Sequence, residues 1–265
     1  MFSTLPEQVQ AKILPGSLGD LGEGRLRNQL LRVVTVDAAV AYLKVGTGEA
    51  AVDIREEAVR LRWIGMRLPV PRVLLHCSEA NADYLLISEL RGKPSHEWVK
   101  DAGPQRVVEC LASALRQVHA LPIADCPFDS VLDDELAESE RRIRERLLDE
   151  EAFANATGEG PPRILAELRS QRGMVRDLVF THGDYALPNV VLEGTTQYGI
   201  LDWGIAGVAD RHRDFMCVEK SITRNCGPDW VHPFYDAYGE SEIDRERIRF
   251  YWLLDQFFAH YTPKL

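Results

Sequence analysis

The chain has 265 residues, of which 45% are hydrophobic and 27% are charged, and its formal net charge is −10 at pH 7. These values suit a globular protein with a buried core, and the negative balance argues against a nucleic-acid-binding protein, which usually has a basic face. No apolar run approaches the ~20 residues of a membrane span, and no basic start followed by an apolar run marks a signal peptide. We therefore expect a cytoplasmic protein without a membrane partner.

Strand-like runs and one helix alternate over the first 90 residues. Segments 28–36 and 39–45 are rich in β-branched residues and are predicted to be strands. Segment 54–67 is predicted to be a helix, ended by the prolines that follow it. Segments 72–77 and 84–90 are predicted to form an antiparallel pair of buried strands.

The character of the sequence changes after the first 90 residues. Apolar side chains recur at helical spacing over 104–120, and a charge-rich helix is predicted over 131–148. A short helix over 163–170 comes before strand, loop and hairpin signals over 178–202, and helices return towards the end. The five cysteines form no CxxC pair, which argues against a zinc site.

This order of elements predicts an α+β fold with two lobes. A small β-rich lobe (residues 1–90) would precede a larger, mainly helical lobe (residues 91–265), with a cleft between them. Clefts between lobes are where ligand sites tend to form.

A predicted hairpin brings polar residues to one place. Val190–Leu192 and Tyr198–Leu201 read as its two strands, so Asn189 before the first and Asp202 after the second should be neighbours. Asp184 lies in the loop that enters the same end. Magnesium prefers carboxylate and neutral oxygen ligands, which suits Asn189 and Asp202. Asp184 would then accept the proton of a substrate hydroxyl or orient it.

A lysine and an acid in the first lobe are predicted to pair. Lys44 lies on a strand face with Val40 and Tyr42, and Glu57 falls inside the apolar stripe of helix 54–67. A buried lysine needs an anion and a buried acid needs a cation. The alternative is a lysine that extends to water and a solvated helix acid.

The motif His-Gly-Asp-x4-Asn at 182–189, followed by a hydrophobic strand and by Asp-Trp-Gly at 202–204, resembles the catalytic and metal motifs of the aminoglycoside phosphotransferases. These enzymes are a branch of the protein-kinase-like fold. The resemblance implies a small antiparallel-sheet lobe with one helix and a larger, mainly helical lobe with a catalytic loop and hairpin. It also implies that Asp184 is the catalytic aspartate and that Asn189 and Asp202 bind Mg²⁺, with two ions possible. It continues through segment 207–215, whose aspartates, like His182, are predicted to be structural.

The same resemblance implies nucleotide contacts in the first lobe. Lys44 and Glu57 match the catalytic pair that holds the α- and β-phosphates of ATP. Tyr42 matches an adenine-stacking aromatic residue, and main-chain groups of Ser88 and Leu90 would bind the adenine edge. The glycine-rich stretch 18–28 would place backbone amides such as that of Gly24 near phosphate, although the small hydroxyl residue common in the family's loop is not obvious here.

Substrate contacts are implied at two further places. The segment LLDQFF near the C-terminus resembles an LLDEFF-like family signature, so Asp255 would bind a substrate amine. Gln256 replaces the usual acid and would offer a neutral hydrogen bond. Glu150 and Glu151 belong to an acidic run near the place of the family's antibiotic-binding loop. Seven residues, 259–265, follow the signature where several relatives end.

The resemblance implies an ATP-dependent kinase acting on the 3′-hydroxyl of a polycationic aminoglycoside and giving resistance, as a monomer or weak dimer. One alternative keeps the chemistry and changes the acceptor to choline, a sugar or a macrolide. A second alternative is a non-catalytic nucleotide-binding module. The presence of the lysine, its acid partner, the aspartate base and both metal ligands argues against that module.

Overall fold

A computed structural model describes residues 4–23, 28–129, 132–194, 197–240 and 243–262. Along the chain, the helices and strands are α1 (Glu7–Gln10), β1 (Gly19–Glu23), β2 (Gln29–Val34), β3 (Val40–Thr47), α2 (Glu49–Ile64), β4 (Val73–Glu79), β5 (Ala82–Ser88), β6 (Lys93–Pro94), α3 (Ser95–Ala102), α4 (Pro104–His119), α5 (Leu132–Arg144), α6 (Glu150–Thr157), α7 (Pro161–Gln171), β7 (Leu178–Thr181), β8 (Val190–Glu193), β9 (Gln197–Ile200), β10 (Gly207–Asp210), α8 (His212–Asn225), α9 (Val231–Tyr238) and α10 (Arg245–Ala259). Among these described residues, no helix is long and apolar enough to cross a membrane.

Backbone contacts divide the chain into two compact units. The first combines Met1–Cys110 with Leu187–Ile205, and the second combines Leu111–Ala186 with Ala206–Leu265. Each unit is therefore built from two separate segments of chain. Sheet dominates the first unit and helix the second, which confirms the predicted α+β class. The assignment of domains to 1–90 and 91–265 stays a prediction.

An antiparallel sheet forms the centre of the first unit, with strand order β1-β2-β3-β5-β4 over the described residues. Side chains alternate between its faces, so Leu31, Val33, Leu43 and Leu86 point into a core that also takes in Val9 from α1. The opposite face carries Lys44. Strands β2 and β3 match the two predicted strands, and β4 and β5 are the predicted antiparallel pair.

Helix α2 packs against strands β3 and β5. Its apolar stripe is buried as predicted, with Ile54, Ala58, Leu61 and Ile64 at most 2% exposed. The helix begins at Glu49, five residues before the predicted start. The residues before Ile54 lack apolar periodicity, but Glu49, Ala50 and Ala51 are good helix formers, so the helix extends back to Gly48.

A second sheet of the first unit joins β6, β8 and β9 in that order. It depends on Gly92, whose φ is +112°, because a Cβ atom there would lie 2.2 Å from the carbonyl oxygen of Leu192. Only glycine permits both this conformation and this approach of two backbones. Strands β8 and β9 are the predicted hairpin, with Val190 opposite Ile200.

The second unit packs helices α5, α6, α7, α8 and α10 around one apolar core that contains Phe153, Leu168, Phe250 and Phe257. Strands β7 and β10 form an antiparallel pair in the same unit. Helix α5 ends at Arg144, four residues before the end predicted for it. The residues beyond it pair with the C-terminal tail, where Thr262 N–H donates to the Leu147 carbonyl at 2.7 Å.

Candidate active site

Lys44 is held by two carboxylates within the first unit. Its Nζ lies 2.9 Å and 2.7 Å from the two oxygens of Glu57, and 2.5 Å from Oδ1 of Asp202. Glu57 is only 5% exposed, so the alternative of a solvated helix acid is wrong. The pairing predicted from the strand face and the helix stripe is present.

The charge of Lys44 is fixed by these neighbours. Burial alone would lower the pKa of Lys44, but the charges of Glu57 and Asp202 raise it overall, above its ordinary value. The lysine is therefore an ammonium throughout the neutral pH range. A permanent cation beside an exposed aspartate is suited to bind the phosphates of a nucleotide.

The hairpin brings its two polar ends together as predicted. Leu201 N–H donates to the Asn189 carbonyl at 2.8 Å, so Asn189 lies beside the residue that precedes Asp202. Trp203 is fully buried, and its indole N–H donates to the Ile200 carbonyl at 2.9 Å, which fixes the chain on the other side of Asp202.

Asp202 adopts a backbone conformation that few residues tolerate. Its φ is +58°, and its side chain is 53% exposed. Aspartate and asparagine are the non-glycine residues most often found there, and such strain concentrates at functional sites. The backbone presents the carboxylate outward while Oδ1 stays on Lys44.

Asn189 and Asp202 fit a magnesium site in which the phosphates of a bound nucleotide supply some of the ligands. No group of three His, Cys, Asp or Glu side chains suited to a metal occurs in the part of the chain that the structure describes. Mg²⁺ is usually held by one or two protein oxygens together with phosphates and water. The carboxylate of Asp202 and the amide oxygen of Asn189, at one end of a hairpin, supply such a pair.

The predicted adenine contacts lie at the end of β5 and on β3. The Ser88 N–H is already occupied, because it donates to the Arg72 carbonyl at 2.9 Å. Among the described residues, the Leu90 amide has no hydrogen-bond partner, so it is the better donor to an adenine ring. The Tyr42 hydroxyl lies 3.4 Å from Glu89. Gly24 lies outside the described residues, between strands β1 and β2.

Asp184 lies on a tightly held loop of the second unit. The buried carboxylate of Asp214, on α8, accepts hydrogen bonds from the backbone amides of His182 at 2.8 Å and Gly183 at 2.7 Å. The Asp184 amide donates to Nδ1 of His182 at 3.2 Å. The structural roles predicted for Asp214 and His182 are thus confirmed, and the loop that carries Asp184 is fixed from its own backbone.

A second layer of side chains holds Asp214 itself, and sequence reasoning missed it. Nε2 of His119 lies 3.1 Å from Oδ2 of Asp214, and its Nδ1 lies 2.8 Å from the Tyr238 hydroxyl. Burial alone would raise the pKa of Asp214, but His119 and the loop amides lower it overall. His119 is the last residue of the amphipathic helix α4, and nothing in that position identifies Asp214 as its partner.

The predicted substrate residues are placed differently from one another. Asp255, on α10, has a side chain that is 19% exposed and pairs with Lys220 at 2.7 Å. Gln256 is 5% exposed and donates to the Trp252 carbonyl at 2.9 Å, so the structure gives its predicted substrate contact no support. Glu150 and Glu151 are exposed in the first turn of α6, a helix that sequence analysis did not predict.

Comparisons with known proteins agree with this geometry. The model of a phosphotransferase enzyme family matches residues 22–251. The aminoglycoside 3′-phosphotransferase of Niallia circulans is 34% identical over 220 residues, which are 82% of this chain and 84% of that protein. The one from Streptomyces fradiae is 36% identical, over 79% of this chain and 81% of that protein.

A solved structure is similar over almost the whole fold. The aminoglycoside-3′-phosphotransferase of type VIII has a TM-score of 0.80 and 29% identity, and the match covers 91% of this chain and 94% of that one. The kinase-like fold and the family that the motifs predicted are both confirmed. The chain belongs to the phosphotransferase enzyme family, in the branch of the aminoglycoside 3′-phosphotransferases.

Proposed function

We propose that this protein transfers the γ-phosphate of ATP to the 3′-hydroxyl of an aminoglycoside and thereby gives resistance to it. The observation that carries the proposal is the Lys44–Glu57–Asp202 arrangement, in which a fixed ammonium lies beside an outward carboxylate. Two relatives that are 34% and 36% identical to this chain over 220 aligned residues are named aminoglycoside 3′-phosphotransferases. A predicted cytoplasmic location, and a monomeric or weakly dimeric state, accompany the proposal.

Each residue has a role in the proposed reaction. Lys44 would bind α- and β-phosphate oxygens, and Glu57 would hold Lys44 in place. Asn189 and Asp202 would hold Mg²⁺, which neutralises charge on the phosphates. Tyr42 and the Leu90 amide would contact the adenine ring, with Ser88 and Gly24 as further predicted contacts.

The chemical step needs a group that manages a proton. The substrate oxygen forms a bond to the γ-phosphorus while the bond between that phosphorus and the bridging oxygen of ADP breaks. The Asp184 carboxylate would take the hydroxyl proton and later release it to water. Because Asp214 holds two amides of the loop, Asp184 needs little reorganisation before it acts.

The acceptor would be recognised through its charge. An aminoglycoside carries several ammonium groups, and carboxylates are their natural partners. Asp255 is the best-placed candidate, and Glu150 and Glu151 are exposed acids in the same unit. The net charge of −10 would further attract a polycation.

The first experiment is an ADP-release assay with kanamycin, its 3′-deoxy analogue and choline as acceptors. We expect turnover with kanamycin alone. Turnover with choline but not with kanamycin would show that the acceptor is not an aminoglycoside. Turnover with the deoxy analogue would exclude exclusive transfer to the 3′ position. Failure of every acceptor with retained ATP binding would favour a non-catalytic module.

A second experiment tests the base. Asp184→Ala should abolish turnover while ATP still binds, measured by calorimetry. Asp229→Ala is the matched control, since Asp229 is an exposed aspartate in the same unit and the change should leave turnover within about twofold. Near-normal turnover of the Asp184 variant would contradict its role.

A further inference from the structure

An internal ion pair occupies the carboxylate that is predicted to bind a substrate amine. Lys220, on α8, places its Nζ 2.7 Å from Oδ2 of Asp255, on α10. The two helices pack against each other in the second unit. Asp255 has a side chain that is 19% exposed, whereas that of Lys220 is 54% exposed. The lysine therefore reaches from solvent to a half-buried acid.

The pair lies close to the loop that carries Asp184. Cys217 lies one turn before Lys220 on α8, and its thiol donates to the Gly183 carbonyl at 3.5 Å. Burial, followed by the charges of Asp184, Asp214 and Asp255, raises the pKa of this thiol well above its ordinary value. Cys217 and Lys220 are one turn apart on α8, so the same stretch of helix contacts the Gly183 carbonyl, next to Asp184, and the carboxylate of Asp255. The predicted base and the predicted amine ligand share one region of the second unit.

Two other charged groups of α8 have partners elsewhere. Arg213 binds Glu135 at 2.6 Å. Asp214 is engaged by two loop amides and by His119. The contact between Lys220 and Asp255 is accordingly a local one, and the long side chain of Lys220 can withdraw into water without a change of backbone.

The lysine ammonium and the ammonium of an aminosugar are the same chemical group. Each carries one positive charge and three N–H donors, and each suits a carboxylate in the same way. We propose that Lys220 is a specificity-determining residue that competes with a substrate ammonium for Asp255. The inference rests on the proposed function and adds a residue that weakens, rather than strengthens, binding of the amine.

The size of the effect follows from the exposure of the pair. Partly exposed ion pairs contribute little to stability. In the unchanged protein, the substrate ammonium must displace Lys220 from Asp255, and this competition should raise the KM for an aminoglycoside by about two- to fivefold. ATP does not compete for Asp255, so its KM should not depend on Lys220. A substrate that lacks the relevant amine would feel no competition.

The test compares Lys220→Gln with the unchanged protein in steady-state assays with kanamycin and ATP. We expect the KM for kanamycin to fall about two- to fivefold while the KM for ATP stays constant. Arg172→Gln is the matched control, because it also removes one positive charge and an Asp ion pair of the same unit, Arg172–Asp133 at 2.7 Å. Calorimetry in the absence of ATP should show a two- to fivefold higher affinity for kanamycin, about the same factor as the fall in KM, in Lys220→Gln and no such change in Arg172→Gln.

A double-mutant cycle locates the effect at Asp255. Asp255→Asn should raise the KM for kanamycin. Adding Lys220→Gln to Asp255→Asn should not lower that KM, because the lysine no longer has a carboxylate for which to compete. An unchanged or higher KM for kanamycin in a folded Lys220→Gln variant would overturn the inference. An equal fall in KM when Lys220→Gln is added to Asp255→Asn would also overturn it. If the unchanged protein transfers no phosphate to any aminoglycoside, the proposed function itself fails, which is a different result.

Discussion

The Lys44 ammonium lies 2.7 Å from the Glu57 carboxylate, and both side chains are largely closed off from solvent. Glu57→Ala would leave a buried cation whose remaining carboxylate partner, among the described residues, is Asp202. Breaking a buried pair in this way costs roughly 3–5 kcal/mol of stability. We expect a lower melting temperature and a fall of about 10- to 100-fold in kcat/KM for ATP, because the phosphate-binding ammonium loses its position.

A neighbouring glutamate on the same helix provides the control for Glu57. Glu56 is exposed and pairs with Arg60 at 2.6 Å. Glu56→Ala should change the stability by no more than about 0.5 kcal/mol and leave the KM for ATP unchanged. Equal effects of the two substitutions would contradict a specific role for Glu57.

The conformation of Asp202 allows its charge and its backbone to be tested separately. Asparagine tolerates a positive φ, so Asp202→Asn should remove the carboxylate while leaving the free energy of unfolding nearly unchanged. Asp202→Ala removes the carboxylate too, and it adds roughly 1–3 kcal/mol of backbone strain. Both variants should lose most turnover at every Mg²⁺ concentration. Urea unfolding and Mg²⁺ titrations measure the two effects. Normal Mg²⁺-dependent turnover by Asp202→Asn would exclude Asp202 as a metal ligand.

The hold of Asp214 on the catalytic loop predicts a change in kcat. In Asp214→Asn an amide replaces one of the oxygens that accept from His182, Gly183 and His119. Loss of such a buried charge-assisted bond costs about 1.5–3 kcal/mol, so kcat should fall at least tenfold while both KM values stay within about twofold. A higher KM with unchanged kcat would point to a purely structural role.

Asp210 is the matched control for this substitution. It is also a fully buried aspartate of the second unit that accepts from backbone amides, those of Arg176 at 3.1 Å and Asp177 at 3.2 Å. Its contacts avoid the loop of Asp184. Asp210→Asn should therefore lower stability without the loss of kcat expected for Asp214→Asn.

Asp210 also predicts how stability depends on pH. Burial alone would raise the pKa of Asp210, but hydrogen bonds from His212 and from backbone amides together outweigh it and hold that pKa well below its ordinary value of 3.8. A lowered pKa in the folded state stabilises the protein above pH 3.8, and this contribution is lost as the pH falls towards the folded value. The midpoint of urea unfolding should fall between pH 5 and pH 3, and Asp210→Asn should flatten that decline. An equally steep decline in the variant would exclude Asp210 as a cause.

Local sequence patterns explain which parts of the site could be predicted. Periodicity over a few residues was enough to predict three features, and the structure contains all of them. They are the hairpin, the lysine face of β3 and the buried glutamate of α2. Helix α6 was not predicted because it has only eight residues and buries only Phe153, so it shows no apolar periodicity. Asp149 caps it by accepting from the Ala152 amide at 2.9 Å.

Contacts between distant segments left no such pattern. His119 and Tyr238 are 119 residues apart in sequence, and Lys220 and Asp255 are 35 residues apart. Nothing in either local segment specifies its partner. Helix α5 ends in a local turn in which Arg146 has a φ of +54° and the Leu147 N–H donates to the Arg142 carbonyl at 2.9 Å. Glycine is the usual residue in that left-handed conformation, so an arginine there gives no sequence signal for the end of the helix.

The discontinuity of the first unit bears on how the protein is made. Strand β6 must wait for β8 and β9, which belong to Leu187–Ile205, before its sheet can form. Lys44 likewise acquires its contact with Asp202 only at that stage. During synthesis, when chains emerge N-terminus first, the first 110 residues leave the ribosome without the segment that completes them. The nucleotide-binding half of the proposed enzyme can mature only after residue 205 has emerged.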